Sequence, residues 1–358
     1  MIPMLLPRDE AELGAGGAST RLPGDAPRIV ALGGGTGLPV LLRGLRDALR
    51  AGEATASTPP ADVLTAVVSV ADDGGSSGRL RRAYGMLAPG DIRNCLLALS
   101  EDEGTLNALF RYRFNGHGDV TGHSLGNLIL AALSQMESRF DHAVERAAAM
   151  LAVRGRVLPA TSHAVELVAE FDDGTCVEGE SRIAAVRRRI RRVRLQPEPA
   201  PALPQALEAI GTADTVVIGP GSLYTSLVPV LMVQGMSDAI VRSGARVVLV
   251  MNLMTEPGET DGLTAEGHVL ALRAHALGLA VHDVILNDAP VPEPARRRYA
   301  ADGAYPLAAD PAALSALGCH AWTSDLLADG GLARHDPNKL ARAVLRLAEA
   351  RRASGGRA

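Results

Sequence analysis

Gly33-Gly34-Gly35-Thr36-Gly37 ends the apolar run Ile29–Leu32 and precedes apolar residues at helical spacing: Leu38, Val40, Leu41, Leu42 and Leu45. That order reads as strand, tight turn, helix. Glycine tolerates positive φ and lets the backbone approach a ligand closely. A helix N-terminus adds unpaired N–H groups and the positive end of its dipole. The chemistry implied is phosphate binding through Gly34, Gly35, Thr36 and Gly37. The loop is not a Walker A loop, because no Gly-Lys-Ser/Thr follows, and Leu38 stands where the dinucleotide fingerprint needs its third glycine. A turn that serves only tight packing is the alternative.

Further along, Ala71-Asp72-Asp73-Gly74-Gly75-Ser76-Ser77-Gly78 follows the β-branched run Val63–Val70. Asp72 and Asp73 suit a magnesium ion on phosphates, or ribose hydroxyls; they are the candidate catalytic and metal-binding residues. Ser76, Ser77 and the glycine amides suit phosphate oxygens, against an ordinary Asx-type turn. In Pro89-Gly90-Asp91-Ile92-Arg93-Asn94, Asp91 is a good N-cap, and Arg93 and Asn94 face either ligand or solvent. Gly122-His123-Ser124-Leu125-Gly126-Asn127 opens another helix, with Ser124 as cap and His123 and Asn127 toward a cleft. A lone histidine is more often structural than catalytic, and spacing alone establishes no Ser-His-Asp triad. Gly219-Pro220-Gly221-Ser222-Leu223-Tyr224-Thr225-Ser226 is a second candidate anion or sugar site, through Gly221, Ser222, Thr225 and Ser226. Asn252–Thr260 and the shorter Asn287-Asp288 are further strand-end loops. Tyr299 and Arg334 are candidates for base stacking and phosphate contact, with plain surface roles equally open. The arginine-rich stretch 187–194 reads as a solvated face, and less strongly as a surface for an anionic partner.

These loops need a frame that brings them together. Strands are expected at 28–32, 63–70, 215–218, 246–251 and 281–286, with helices at 37–50, 91–113, 124–153 and 337–352. The alternation predicts an α/β, Rossmann-like doubly wound and mostly parallel sheet, with ligands beyond the carboxyl ends of its strands. Residues 164–180 alternate around the turn Asp172-Asp173-Gly174-Thr175 and predict a small antiparallel excursion, about 156–195. Residues 1–27 are read as a disordered tail, 51–61 as a polar linker, 28–352 as the ligand-binding domain and 353–358 as a C-terminal tail.

Composition narrows the field. The 358 residues carry 36 basic and 40 acidic side chains, a net charge of −4, which argues against general nucleic-acid binding. Lys339 is the single lysine. Cys95, Cys176 and Cys319 lie far apart and imply neither a disulfide framework nor a zinc knuckle. The apolar runs fall short of the roughly 18 residues that span a membrane, and Met1–Leu6 lacks a basic leader. A cytoplasmic protein is expected.

In this order the motifs resemble the YvcK family, the gluconeogenesis factors. The matching stretches are Ala31–Leu38, Val68–Leu80, Pro89–Asn94, Phe110–Phe114, Gly122–Asn127, Gly219–Ser226 and Asn252–Thr255. The resemblance covers about residues 28–340. It implies a CofD fold, a nucleotide sugar such as UDP-N-acetylglucosamine as ligand, and a bacterial regulator of carbon flow and cell-wall assembly. Such a regulator is needed for cell shape and for growth on gluconeogenic carbon sources. The implied partners are the nucleotide sugar, further copies of the chain and proteins of cell-wall regulation. The related CofD enzymes are 2-phospho-L-lactate transferases of deazaflavin coenzyme synthesis. They hold magnesium on an aspartate that matches Asp72 or Asp73. The continuation Asp-Asp-Gly-Gly-Ser-Ser-Gly departs from theirs and favours the regulator branch; a magnesium-dependent transferase is the alternative. A nicotinamide dehydrogenase is weaker still, since no acid sits about 20 residues beyond the first loop for the ribose.

Overall fold

A computed structural model describes residues 26–52, 63–101 and 104–353. Most of the expected tails and of the polar linker lies outside these residues; residues 51 and 52 still belong to the first helix. The chain begins with β1 (Ile29–Gly33), α1 (Gly37–Gly52), β2 (Leu64–Val68), α2 (Gly75–Tyr84), α3 (Gly90–Leu99), α4 (Thr105–Arg111), α5 (Leu125–Met136), α6 (Phe140–Met150) and β3 (Arg156–Pro159). An excursion follows, built of β4 (Glu166–Phe171), β5 (Cys176–Glu178), α7 (Glu180–Val186) and β6 (Ile190–Gln196). The chain then returns through α8 (Pro204–Gly211), β7 (Thr215–Ile218), a π-helical turn Leu223–Leu227, α9 (Val228–Met232) and α10 (Met236–Ser243). It ends with β8 (Arg246–Val250), α11 (Ala265–His275), β9 (Asp283–Asn287), α12 (Glu293–Ala301), α13 (Pro311–Ala316), β10 (His320–Ser324) and α14 (Pro337–Ala353).

Seven strands form one parallel sheet in the order β10-β9-β8-β7-β1-β2-β3. β1, β2 and β7 are buried along their whole length, as near-continuous apolar strands must be when helices cover both faces. β2 and β3 lie to one side of β1, and β7 to β10 to the other. The strand order therefore reverses between β1 and β7, which is where open α/β sheets bind ligands. Leu38, Leu41, Leu42 and Leu45 place one fully buried stripe of α1 against the core. Its outer flank takes α14 so closely that a Cβ on Gly44 would stand 1.9 Å from the Pro337 carbonyl oxygen.

The excursion is a three-stranded antiparallel sheet, β5-β4-β6, as its alternation and Asp-Asp-Gly-Thr turn predict. Its start needs correction: residues 156–159 are β3 at the edge of the main sheet. The two long expected helices are also each divided. The first breaks at Ser100, whose hydroxyl donates to the Leu151 carbonyl at 2.6 Å and which bridges to Val153. The second ends at Met136, and α6 restarts at Phe140, with Arg139 held to Asp141. β3 and β10 escape the sequence pattern because one is short and ends in proline, and the other is half-exposed along its length. No helix among the described residues is long and apolar enough to cross a membrane.

Candidate functional site

The loops after β1 and β7 cross at the switch point. A Cβ on Gly37 would lie 2.4 Å from the Pro220 carbonyl oxygen, and one on Gly35 would lie 3.2 Å from Ser226 Oγ. Gly35 itself holds φ +63°, a conformation that favours glycine. Beneath this crossing sits Asp91, whose Oδ2 accepts the Gly35 N–H at 2.7 Å. The same oxygen would lie 2.8 Å from a Cβ on Gly34. Two of the loop's glycines are therefore required by protein contacts, and one of its amides is already engaged. Burial pushes the Asp91 carboxyl up to about 6, opposed by the Gly35 bond and reinforced by the charge of Asp72.

The second loop departs from the expectation of a loop through Gly78. It is short, and Gly75, Ser76, Ser77 and Gly78 already belong to α2. Gly78 N–H closes the first turn on the Gly74 carbonyl at 3.1 Å. The N–H groups of Gly75, Ser76 and Ser77 precede that bond and so lack an intrahelical acceptor, and no side chain caps this end. The two aspartates part company. Asp72 Oδ1 accepts the Gly74 N–H at 2.8 Å, while Asp73 Oδ1 accepts the Ser181 N–H of α7 at 2.8 Å. A Cβ on Gly90 would meet Ser77 Oγ at 2.5 Å and Asp72 Oδ2 at 2.9 Å. Gly90 and Asp91 thus join the second loop to the first.

A buried polar chain runs behind α2. Arg93 donates to Asn127 Oδ1 at 2.7 Å, to Ser124 Oγ, and to Asn94 Oδ1 at 2.8 Å. Asn127 Nδ2 donates to Ser76 Oγ at 3.0 Å, and Ser76 Oγ lies 2.9 Å from His123 Nδ1. Ser124 caps α5 as expected, accepting the Asn127 N–H at 3.2 Å. Burial, then the charges of Arg79 and Arg113, lower the His123 pKa and favour its neutral form. Burial and Arg113 lower the Arg93 pKa to about 10.

On the β7–β8 side, Asn252 clamps Gly221, accepting its N–H at 3.2 Å and donating to its carbonyl at 2.9 Å. Glu259 accepts the Tyr224 and Thr225 N–H groups at 2.7 and 2.8 Å. Burial and the charge of Glu256 push Glu259 up to about 8. Ser222 is partly exposed, whereas Thr225 and Ser226 are buried. Tyr299 and Arg334 lie on one flank: the Tyr299 hydroxyl is 3.5 Å from the Ala333 carbonyl oxygen, and Arg334 is exposed. Asn287 braces the chain instead, bonding Leu326 N–H and the Ala289 carbonyl.

Sequence reading missed two acids. Glu180 opens α7, and burial together with Asp72, Asp91, Glu259 and Asp73 pushes it up to about 9. It sits on the excursion, and no spacing ties it to Asp72. Glu259 was within a named strand-end loop, and its distinguishing signal is only its proximity to the folded β7 loop. Among the described residues, no three His, Cys, Asp or Glu side chains form a cation cage. Of the two aspartates expected to hold magnesium, Asp73 is turned to Ser181, whereas Asp72 Oδ2 faces the Gly90 junction, where one carboxylate and the phosphates of a ligand could hold the ion.

The family model for 2-phospho-L-lactate transferase CofD matches residues 29–327. A gluconeogenesis factor of Bacillus subtilis is 45% identical over 320 residues, covering 89% of this chain and 97% of its own. One from Halalkalibacterium halodurans is 44% identical over 319 residues, 88% of this chain and 95% of its own. A crystal structure of a UPF0052 family protein from Bacillus halodurans superposes with a TM-score of 0.83 at 42% identity, covering 90% of this chain and 99% of that one.

Proposed function

This chain belongs to the CofD family, among the gluconeogenesis factors, and from that premise we propose that it is a nucleotide-sugar-binding regulator. The ligand is UDP-N-acetylglucosamine or a close relative. The observation that carries the reading is the uncapped first turn of α2, Gly75 to Ser77, joined through Gly90 and Asp91 to the crossing of the β1 and β7 loops. Amides at a helix start suit a diphosphate, and the switch point suits a nucleotide. In this reading the first turn of α2 holds the diphosphate with the Gly34–Gly37 turn packed beside it, and Gly221 to Ser226 contact phosphate or sugar. Asp72 holds ribose or magnesium, Tyr299 stacks on the base and Arg334 meets phosphate. Magnesium, when bound, offsets the charge that Asp72, Asp91 and the diphosphate bring together. A regulator of carbon flow and cell-wall assembly in the cytoplasm, forming homo-oligomers, is the cellular role proposed.

Calorimetric titration with UDP-N-acetylglucosamine tests the reading, beside a turnover assay with magnesium and deazaflavin substrates. Saturable binding without product from the deazaflavin substrates is expected. Product formation at enzyme-like rates would transfer the chain to the transferase branch. Asp72→Asn should only weaken binding; under the transferase reading it would abolish turnover.

A further inference from the structure

Gly74-Gly75-Ser76-Ser77-Gly78 has the form Gly-x-Ser-x-Gly and forms the N-cap and first turn of α2, which follows β2, a strand–turn–helix context in which such a sequence presents a serine nucleophile. The surrounding hydrogen bonds orient that serine. Arg93 has only donors, so its bond to Asn127 fixes Oδ1 toward the guanidinium and Nδ2 toward Ser76. Ser76 Oγ therefore accepts from Asn127, which leaves its own O–H to donate to His123 Nδ1, 2.9 Å away. A neutral histidine that accepts at Nδ1 carries its proton at Nε2 and can take another. Nucleophile and base within hydrogen-bond reach, with the nucleophile oriented by a third group, is the arrangement that activates a hydroxyl.

Stabilising groups are at hand. The Gly75, Ser76 and Ser77 N–H groups precede the first intrahelical bond of α2. Arg93 is nine-tenths buried, and its Nε finds no acceptor among the described residues. Both features suit the oxygens of a phosphorus centre.

We propose that Ser76 and His123 are a nucleophile–base pair that gives this cleft a phosphoryl-transfer activity toward phosphoric anhydrides. Ser76 Oγ attacks phosphorus as its proton passes to His123 Nδ1. The Oγ–P bond forms, the anhydride P–O bond breaks, and the departing phosphate oxygen keeps the electron pair. The imidazolium then releases its proton to the departing group. Water next attacks the phosphoseryl phosphorus as His123 takes a water proton; the water oxygen–phosphorus bond forms, the Oγ–P bond breaks with its electron pair left on Ser76 Oγ, and His123 returns the proton to that oxygen as phosphate departs. That the anhydride is a nucleotide sugar rests on the function proposed above; the activated serine does not.

A biotinylated fluorophosphonate tests the pair without any nucleotide. Its capture forms Oγ–P, breaks P–F, expels fluoride and sends the serine proton to His123. The expected result is one adduct per chain, mapped by mass spectrometry to Ser76. Ser76→Ala should remove it, and Ser76→Cys, read with iodoacetamide, should restore a reactive group. His123→Gln should slow labelling by about 100-fold or more, with thermal melting run on each variant. Wild-type protein that stays unlabelled, an adduct on another serine, or unchanged labelling of a folded His123→Gln would each overturn the proposal. UDP-N-acetylglucosamine binding, measured on the same samples, separates the two readings. Labelling without binding retires the nucleotide sugar and keeps the pair; binding without labelling does the reverse.

Discussion

The two glycine-rich turns of this protein read alike in sequence and are used differently. In the turn after β1, the Gly35 N–H is bonded to Asp91 and Gly37 lies under Pro220, so its glycines answer to neighbouring protein atoms. In the turn before α2, Gly75 has no atom within 4 Å of a would-be Cβ, and the first helical amides lie ahead of the first intrahelical bond. Glycine content marks close approach in both cases. What distinguishes a packing turn from an anion site is where its N–H groups point, and composition does not record that.

The sharpest way to break this contrast is a matched pair of alanines. Gly37→Ala forces a Cβ to 2.4 Å from a backbone oxygen and should cost about 2 kcal/mol or more in urea unfolding, as overpacked cores do. Gly75→Ala meets open space and suffers only its φ of +44°, about 1 kcal/mol. Equal losses would erase the distinction. A smaller effect separates the turns as ligand sites. Ser77→Ala should weaken UDP-N-acetylglucosamine about 10-fold in calorimetry, about 1.4 kcal/mol, and Thr36→Ala by less than about 2-fold. The reverse order would move the diphosphate to the first turn.

The smallest effect concerns Asp91. Its folded pKa, about 6, lies above the ordinary carboxylate value of 3.8, so the folded state binds more protons between them. Stability from this group is greatest at acid pH and falls as pH rises through about 6. Asp91→Asn keeps an acceptor for Gly35 and should flatten the decline between about pH 4 and pH 6, read as the urea midpoint at each pH. An unchanged slope would place the proton uptake elsewhere, with Glu180 and Glu259 the next groups to substitute.

Much of this molecule was legible before its structure. Apolar runs ending in glycine located β1 and β7, apolar β-branched runs located β2 and β8, and the alternation around Asp172-Asp173-Gly174-Thr175 located the excursion. What pattern could not supply was long-range pairing. β10 has too much exposure to look like a strand. The engagement of Gly35 by Asp91 joins residues 56 apart, and Asp73 finds Ser181 at a separation of 108. His123 looked like a lone histidine until folding set Ser76 against it. Local propensity speaks for turns and helices; the partners of polar side chains are decided by topology.

Backbone amide exchange with and without UDP-N-acetylglucosamine tests the central claim most directly. The account predicts strong slowing at Gly75, Ser76 and Ser77 on ligand addition, with little change at Gly35, whose N–H is bonded to Asp91 already. Slowing confined to residues 34–37, or no ligand-dependent change at either turn, would contradict it.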